Sequence, residues 1–269
     1  MNANHPSFSP MKAVILAGGF GTRIREETAA KPKPMVEIGD KPILWHIMKL
    51  YSHYGFQDFV ICLGYKSEAV KEYFFHHFVN QSDVTFDYSG RQQEVIHHYK
   101  GEPWKVTLVH TGHNTMTGGR IKRIQPYIGN HPFLLTYGDG LSDVNLGELV
   151  RYHRSHGKYA TVTAVQPVGR FGVIQLGANN EVLSFQEKPK SGGNWINGGF
   201  FVMEPEVFHY IQNDEAVLEQ EILEALARDG QLMAYQHSGF WQPMDTLRDK
   251  QELEKLWNAG TAPWKTWVK

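Results

Sequence analysis

Short apolar runs alternate with amphipathic stretches along the chain from Lys12 onward, the pattern of a mainly parallel sheet covered by helices. "KAVILA" (12–17) is too apolar for a solvent-facing edge and reads as a strand buried on both faces. "PILWHIMKLYSHYG" (42–55) reads as a helix, because a proline in the first turn forfeits no needed hydrogen bond; Ile43, Ile47 and Leu50 share one face. "FQDFVICLG" (56–64) is the second strand, and "SEAVKEYFFHHF" (67–78) the next helix, with Ser67 as its expected N-cap.

Shorter strand candidates occupy residues 83–110, among them "EVIHHY" and "KVTLVH". "GGRIKRIQPYI" (118–128) predicts a helix, and "PFLLTYGDG" (132–140) an apolar strand ending in a glycine-flanked aspartate. A helix over 145–156 precedes a strand-rich half formed by "YATVTAVQP", "GVIQL" and "EVLSFQEK". "GGFFVME" is a further strand, followed by helices near 205–211 and 216–228. "LMAYQH" is a late strand, and "DTLRDKQELEKLWNAG" (245–260) a closing amphipathic helix. No internal repeat or linker interrupts this order. The expectation is a single α/β domain over residues 11–269, preceded by a polar, proline-containing leader (1–10) expected to be disordered.

Composition narrows the function classes. An apolar fraction of 41% over 269 residues suffices for a sizeable core, and 27 basic residues balance 28 acidic ones. That balance excludes a bulk nucleic-acid or membrane binder, so any anion site must be local. One cysteine, Cys62 in an apolar run, excludes an internal disulfide and reads as a small buried hydrophobe. No apolar run approaches the roughly 18 residues of a membrane span and no signal peptide is seen, so a cytoplasmic protein is expected. His76-His77 and His97-His98 are adjacent pairs whose side chains point apart, and no zinc-ligand spacing occurs.

Gly18-Gly19-Phe20-Gly21-Thr22-Arg23 follows the first strand. It fails as a P-loop, since no lysine follows the last glycine, and as a dinucleotide fingerprint, since Ile24 stands where the third glycine belongs. The chemistry survives that failure. Glycines let the backbone approach a ligand and offer N–H groups to phosphate oxygens, and Arg23 adds a planar fork. A simple glycine-rich turn is the competing reading. Lys31-Pro32-Lys33-Pro34 favours the phosphate, because the prolines hold the two lysines in fixed directions.

Three further clusters carry chemistry. Asp139 in "TYGDG" ends a strand, where open α/β sheets bind ligands; it is either a turn aspartate or a ligand to a hard cation such as Mg²⁺. Asp245 in "GFWQPMDTLRDK" is either a helix N-cap or the second carboxylate of that cation site. Lys188, after Glu187 in "SFQEKPK", is either a surface lysine or a stiff charge for a phosphate, and Asn197-Gly198-Gly199 suits sugar hydroxyls.

Together "LAGGFGTR", "KPKPM", "TYGDG", "FQEKPK" and "INGGFFV" resemble the sugar-1-phosphate nucleotidyltransferases, from Lys12 to nearly the last residue. "KPKPMVEIGDKPILWHIMK", "MTGGRIKR", "GRFGVI" and "GFWQPMDTLRDK" are similar to the branch that joins CTP to glucose 1-phosphate, giving CDP-glucose for deoxysugar and O-antigen synthesis. UTP or dTTP use, or a non-catalytic sugar-nucleotide-binding subunit, are the alternatives. The resemblance implies a Rossmann-like, mixed, mainly parallel sheet flanked by helices, with a smaller strand-rich sugar-binding part.

It also implies roles. Leu16, Ala17, Gly18, Gly19, Gly21, Thr22 and Arg23, with Lys33, Thr115, Arg120 and Gly138, would bind the nucleotide. Glu187, Lys188, Asn197 and Gly198 would bind the sugar phosphate, and Asp139 with Asp245 would hold Mg²⁺. Arg23, Lys33, Asp139 and Lys188 would carry catalysis. A homo-oligomer, a hexamer by resemblance, is implied as well.

Overall fold

Strands apolar on both sides need cover on both sides, and the fold supplies it. In the computed structural model, which describes residues 11–28, 31–87, 89, 93–99, 101–167, 173–176, 182–186 and 194–268, a seven-stranded sheet forms the centre. Its strands are β1 (Lys12–Ala17), β2 (Asp58–Leu63), β3 (Lys105–His110), β4 (Phe133–Tyr137), β5 (Ala160–Val165), β6 (Ile196–Met203) and β7 (Leu232–His237). Their spatial order is β7-β5-β6-β4-β1-β2-β3. Of the seven, β6 alone runs antiparallel to its neighbours, so the sheet is mixed and mainly parallel, as expected.

The longer α-helices among the described residues are α1 (Ile43–His53), α2 (Ser67–Asn80), α3 (Thr117–Arg123), α4 (Leu146–His156), α5 (Leu223–Arg228) and α6 (Leu247–Asn258). Alternation along β1 divides the core. Ala13, Ile15 and Ala17 join a buried cluster with Ile43, Leu44 and Ile47 of α1, while Val14 and Leu16 join another with Ile121, Phe201 and Phe208. Each fully buried aliphatic side chain contributes about 1.5–3 kcal/mol, so neither face of β1 tolerates exposure. Among the described residues no helix is long and apolar enough to cross a membrane.

Several local expectations change. Ser67 is not an N-cap: Lys66 holds that place at φ 50°, and Ser67 is already helical, its buried hydroxyl donating to Glu68. The predicted 118–128 helix is cut at Ile124, since Pro126 has no N–H to continue the ladder. Of the strand candidates in 83–110 only β3 joins the main sheet; Ser82–Asp87 and Gln93–Tyr99 form a separate antiparallel hairpin. In the strand-rich half β5 joins the main sheet, while Val173–Leu176 and Val182–Gln186 pair apart from it. The 205–211 helix is a 3₁₀ segment over Pro205–Tyr210, and a π-helical turn, Leu218–Ile222, precedes α5. Residues 1–10 lie outside the described ones.

The chain leaves β1 toward β2 and β3 on one side and returns to β4 on the other. The carboxyl ends of β1 and β4 therefore flank the switch point, where open sheets bind ligands.

Candidate active site

A cavity of about 600 Å³ opens at that switch point. Every expected site residue among the described ones lines it: the 16–23 segment, Lys33, Thr115, Arg120, Gly138, Asp139, Asn197, Gly198 and Asp245. Glu187 and Lys188 lie outside the described residues.

The glycine loop is held from below. Arg120 of α3, 5% exposed, donates from Nη1 to Leu63 O (3.2 Å), Thr111 Oγ1 (2.9 Å) and Gly112 O (2.7 Å). Its Nη2 reaches Gly18 O (3.0 Å) and His113 O (3.3 Å). One guanidinium thus ties the loop after β1 to the ends of β2 and β3. Burial lowers its pKa, yet an arginine keeps its proton. Gly18 is required by this contact, because a Cβ there would lie 2.3 Å from Nη1. Gly21 sits at φ +64°, and Thr28 Oγ1 bonds its carbonyl at 3.1 Å, closing the loop.

The charged end of the cavity is one cluster. Lys33 Nζ donates to Asp139 Oδ2 at 2.6 Å and to Asp245 Oδ1 at 2.7 Å. Arg23 Nη1 donates to Asp245 Oδ2 at 2.7 Å. The Lys33 side chain is only 8% exposed, with Asp139 at 27% and Asp245 at 19%, whereas Arg23 stands in solvent at 70%. Two carboxylates, 106 residues apart in sequence, are brought together by a short antiparallel pairing. Gly140–Ser142 aligns with Trp241–Pro243, and Met244 N donates to Asp139 O at 2.8 Å. Asp245 does not cap the following helix. Thr246 does, in a capping box with Asp249, which leaves the Asp245 carboxylate to the cavity.

The other end is lined, among the described residues, by hydrogen-bonding side chains and one carboxylate, Glu219. Asn197 Oδ1 accepts from Gly199 N (2.8 Å) and its Nδ2 donates to Tyr137 Oη (3.2 Å). Tyr137 Oη in turn donates to Glu219 Oε1, and Thr117 Oγ1 donates to Glu219 Oε2 at 3.0 Å. Burial, then the Glu219 charge, raises the Tyr137 pKa, so the phenol keeps its proton. Trp241 Nε1 fixes Gly198 through its carbonyl at 2.7 Å. Tyr137, Thr117, Glu219 and Trp241 were not expected from the sequence. Glu219 in "VLEQEILEAL" reads as one more surface glutamate, and the tyrosine as core.

Comparison with known proteins decides the family. The nucleotidyl transferase family matches residues 12–254. The chain belongs to this family. It is 58% identical over 258 residues to a glucose-1-phosphate cytidylyltransferase of Salmonella typhimurium, covering 96% of this chain and all of that one. It is 46% identical over 260 residues to a probable glucose-1-phosphate cytidylyltransferase of Bacillus subtilis, with 96% of this chain and 100% of that one covered. The crystal structure of HddC from Yersinia pseudotuberculosis shares the fold at a TM-score of 0.67 and 22% identity, over 92% of this chain and 99% of that one. The nucleotidyltransferase's glycine loop, carboxylates and Asn197 therefore share one cavity at the switch point of the family fold.

Proposed function

We propose that this nucleotidyltransferase transfers the cytidylyl group of CTP to α-D-glucose 1-phosphate, releasing pyrophosphate and forming CDP-glucose. The observation that carries the reading is the cavity itself. It sets a glycine loop and two cations at one end and a hydrogen-bonding wall of Asn197, Tyr137 and Glu219 at the other, in a chain 58% identical to a cytidylyltransferase over 96% of its length.

The chemistry follows from charge. Both substrates are anions that repel, and the sugar phosphate is already an ionised nucleophile, so no general base is required. One of its phosphate oxygens forms a bond to the α-phosphorus of CTP while the bond to the departing pyrophosphate breaks in line. Backbone N–H groups of Gly18 to Gly21 would hold the triphosphate. Arg23 and Lys33 would offset the charge gathering on the leaving group, and Lys188 the phosphate of glucose 1-phosphate. Asn197 and Gly198, held by Tyr137 and Trp241, would face the sugar.

The residues present fit a divalent cation. Asp139 and Asp245 converge on a single cationic atom, Lys33 Nζ, at 2.6 and 2.7 Å, so the pair already shares one cation-sized position. Two carboxylates with substrate phosphates are the donor set Mg²⁺ takes. Bound there, the ion supplies charge neutralisation of the phosphates at the reacting phosphorus. The single cysteine, Cys62, is buried and free, which fits a reducing, cytoplasmic setting.

Pyrophosphate release tests the reading with CTP, UTP or dTTP, each with glucose 1-phosphate and Mg²⁺. CTP is expected to be used best; equal or faster turnover with UTP or dTTP would assign another nucleotide.

A further inference from the structure

Glu219 is an anion in the wall of a cavity built for anions, and neither the charged cluster nor the glycine loop uses it. Phosphates cannot be its target. Its environment shows what can be. Asn197 Nδ2 donates to Tyr137 Oη, which donates to Glu219 Oε1. On the other side Leu218 N donates to Thr117 Oγ1 at 2.8 Å, which donates to Glu219 Oε2 at 3.0 Å. Both hydroxyl protons are thereby committed toward the carboxylate, and the direction of the whole chain is set. Each carboxylate oxygen has taken one donor and retains capacity for another. From the ligand side, Glu219 therefore accepts and cannot donate.

The backbone is adapted to the same end. Glu219 lies in the π-helical turn Leu218–Ile222. Such turns are rare and concentrate at functional sites. Its start is held by Thr117 Oγ1, which accepts from Leu218 N, and by Glu221 Oε2, which accepts from Val217 N at 2.6 Å, so two N–H groups without a helical partner are satisfied beside Glu219. Three elements far apart in sequence, at Thr117, Tyr137 and Leu218–Ile222, converge on this carboxylate.

We propose that Glu219 is a specificity-determining residue, accepting a hydrogen bond from a donor on the uncharged part of a substrate and rejecting substrates that present an acceptor there. This rests on the function proposed above. The shared chemistry is an N–H or O–H donor, available either from the exocyclic amino group of cytosine or from a hydroxyl of glucose. Uracil carries a carbonyl at the former position, and a deoxysugar lacks the latter. A site built to receive a hydrogen bond discriminates strongly against a ligand that cannot supply it.

Glu219→Gln separates the sources. It keeps the size and one acceptor oxygen, but replaces the other with a donor. Values of kcat/KM are measured for CTP and UTP with glucose 1-phosphate, and for glucose 1-phosphate and its deoxy analogues with CTP, beside the wild type. The expected result is a fall of at least about tenfold in one preference ratio, as for losing a hydrogen bond to a charged acceptor. A fall in CTP over UTP assigns the cytosine amino group, and a fall in glucose over a deoxyglucose assigns that hydroxyl. A folded variant whose two ratios both stay within twofold of wild type overturns the proposal, including when all rates drop together. If Glu219→Gln does not fold, Tyr137→Phe removes one orienting donor and leaves the carboxylate; the same ratio should move a few-fold, and unchanged ratios again overturn it. Wild-type protein that ignores CTP would refute the proposed function, and the ratios would still be read on the nucleotide it prefers.

Discussion

Lys33→Met removes the ammonium that separates Asp139 from Asp245, and its cost can be worked from the geometry. The two bonds of 2.6 and 2.7 Å limit the facing carboxylate oxygens to a separation of about 5.3 Å. Two unit charges at that distance repel by about 3 kcal/mol at an effective dielectric of about 20. The carboxylates are less than a third exposed, so solvent removes only part of this. At about 2–4 °C per kcal/mol for a chain near this size, the thermal midpoint should fall by about 6–12 °C in chelator. Millimolar Mg²⁺ should restore much of that and should raise the variant's midpoint more than the wild type's, where Lys33 competes for the site. Turnover should stay low, by about 10²–10³-fold, because the preorganised charge at the phosphates is gone. Differential scanning fluorimetry with and without Mg²⁺ reads the first effect, and pyrophosphate release the second. A variant that melts with the wild type in chelator, or equal Mg²⁺ shifts in both proteins, would refute the reasoning.

Asp139→Asn should lower turnover by at least about 10²-fold, and activity within a few-fold of wild type would remove Asp139 from the cation site. Gly18→Ala should weaken nucleotide binding, since its Cβ would stand 2.3 Å from the Arg120 guanidinium; an unchanged Michaelis constant for the nucleotide contradicts the loop's role. His46 is fully buried, its Nε2–H donating to Ile38 O at 3.0 Å while Nδ1 accepts from Trp264 at 3.3 Å. Burial pulls its pKa from 6.5 down to about 4, and His153 likewise reaches about 4. The unfolded chain takes these protons first, so their contribution is whole above pH 6.5 and is lost as pH falls toward 4. Thermal midpoints should hold level above pH 6.5 and decline below it, and a midpoint unchanged down to pH 4.5 contradicts neutral burial.

The elements legible in the sequence are those whose burial is two-sided or whose chemistry is local. β1 and β4 read as strands because alternate residues enter different cores, and Asp139 reads as a site residue because it ends a strand. Long-range pairing is different. That Asp245 faces Asp139 depends on residues 140–142 aligning with 241–243, and no periodicity encodes that partnership. Thr246 and Asp249 stand at capping-box spacing, which the reading of Asp245 as the cap passed over; the box frees Asp245 from capping. Ser67 misled because a serine before an apolar run suits both the cap and the first turn. Arg120 carries a basic residue's signature, but its Nη donors turn to backbone carbonyls under Gly18, a place visible only once three strand ends are assembled. Glu219 was silent because the groups that orient it, Thr117 and Tyr137, lie 102 and 82 residues away in sequence.

The most direct test of the account is product formation itself. Purified protein, glucose 1-phosphate, Mg²⁺ and an equimolar mixture of CTP, UTP and dTTP are followed by ³¹P NMR and mass spectrometry. The account predicts that CDP-glucose and pyrophosphate accumulate in equal amounts while UTP and dTTP persist. No CDP-glucose, or preferential consumption of UTP or dTTP, would contradict it.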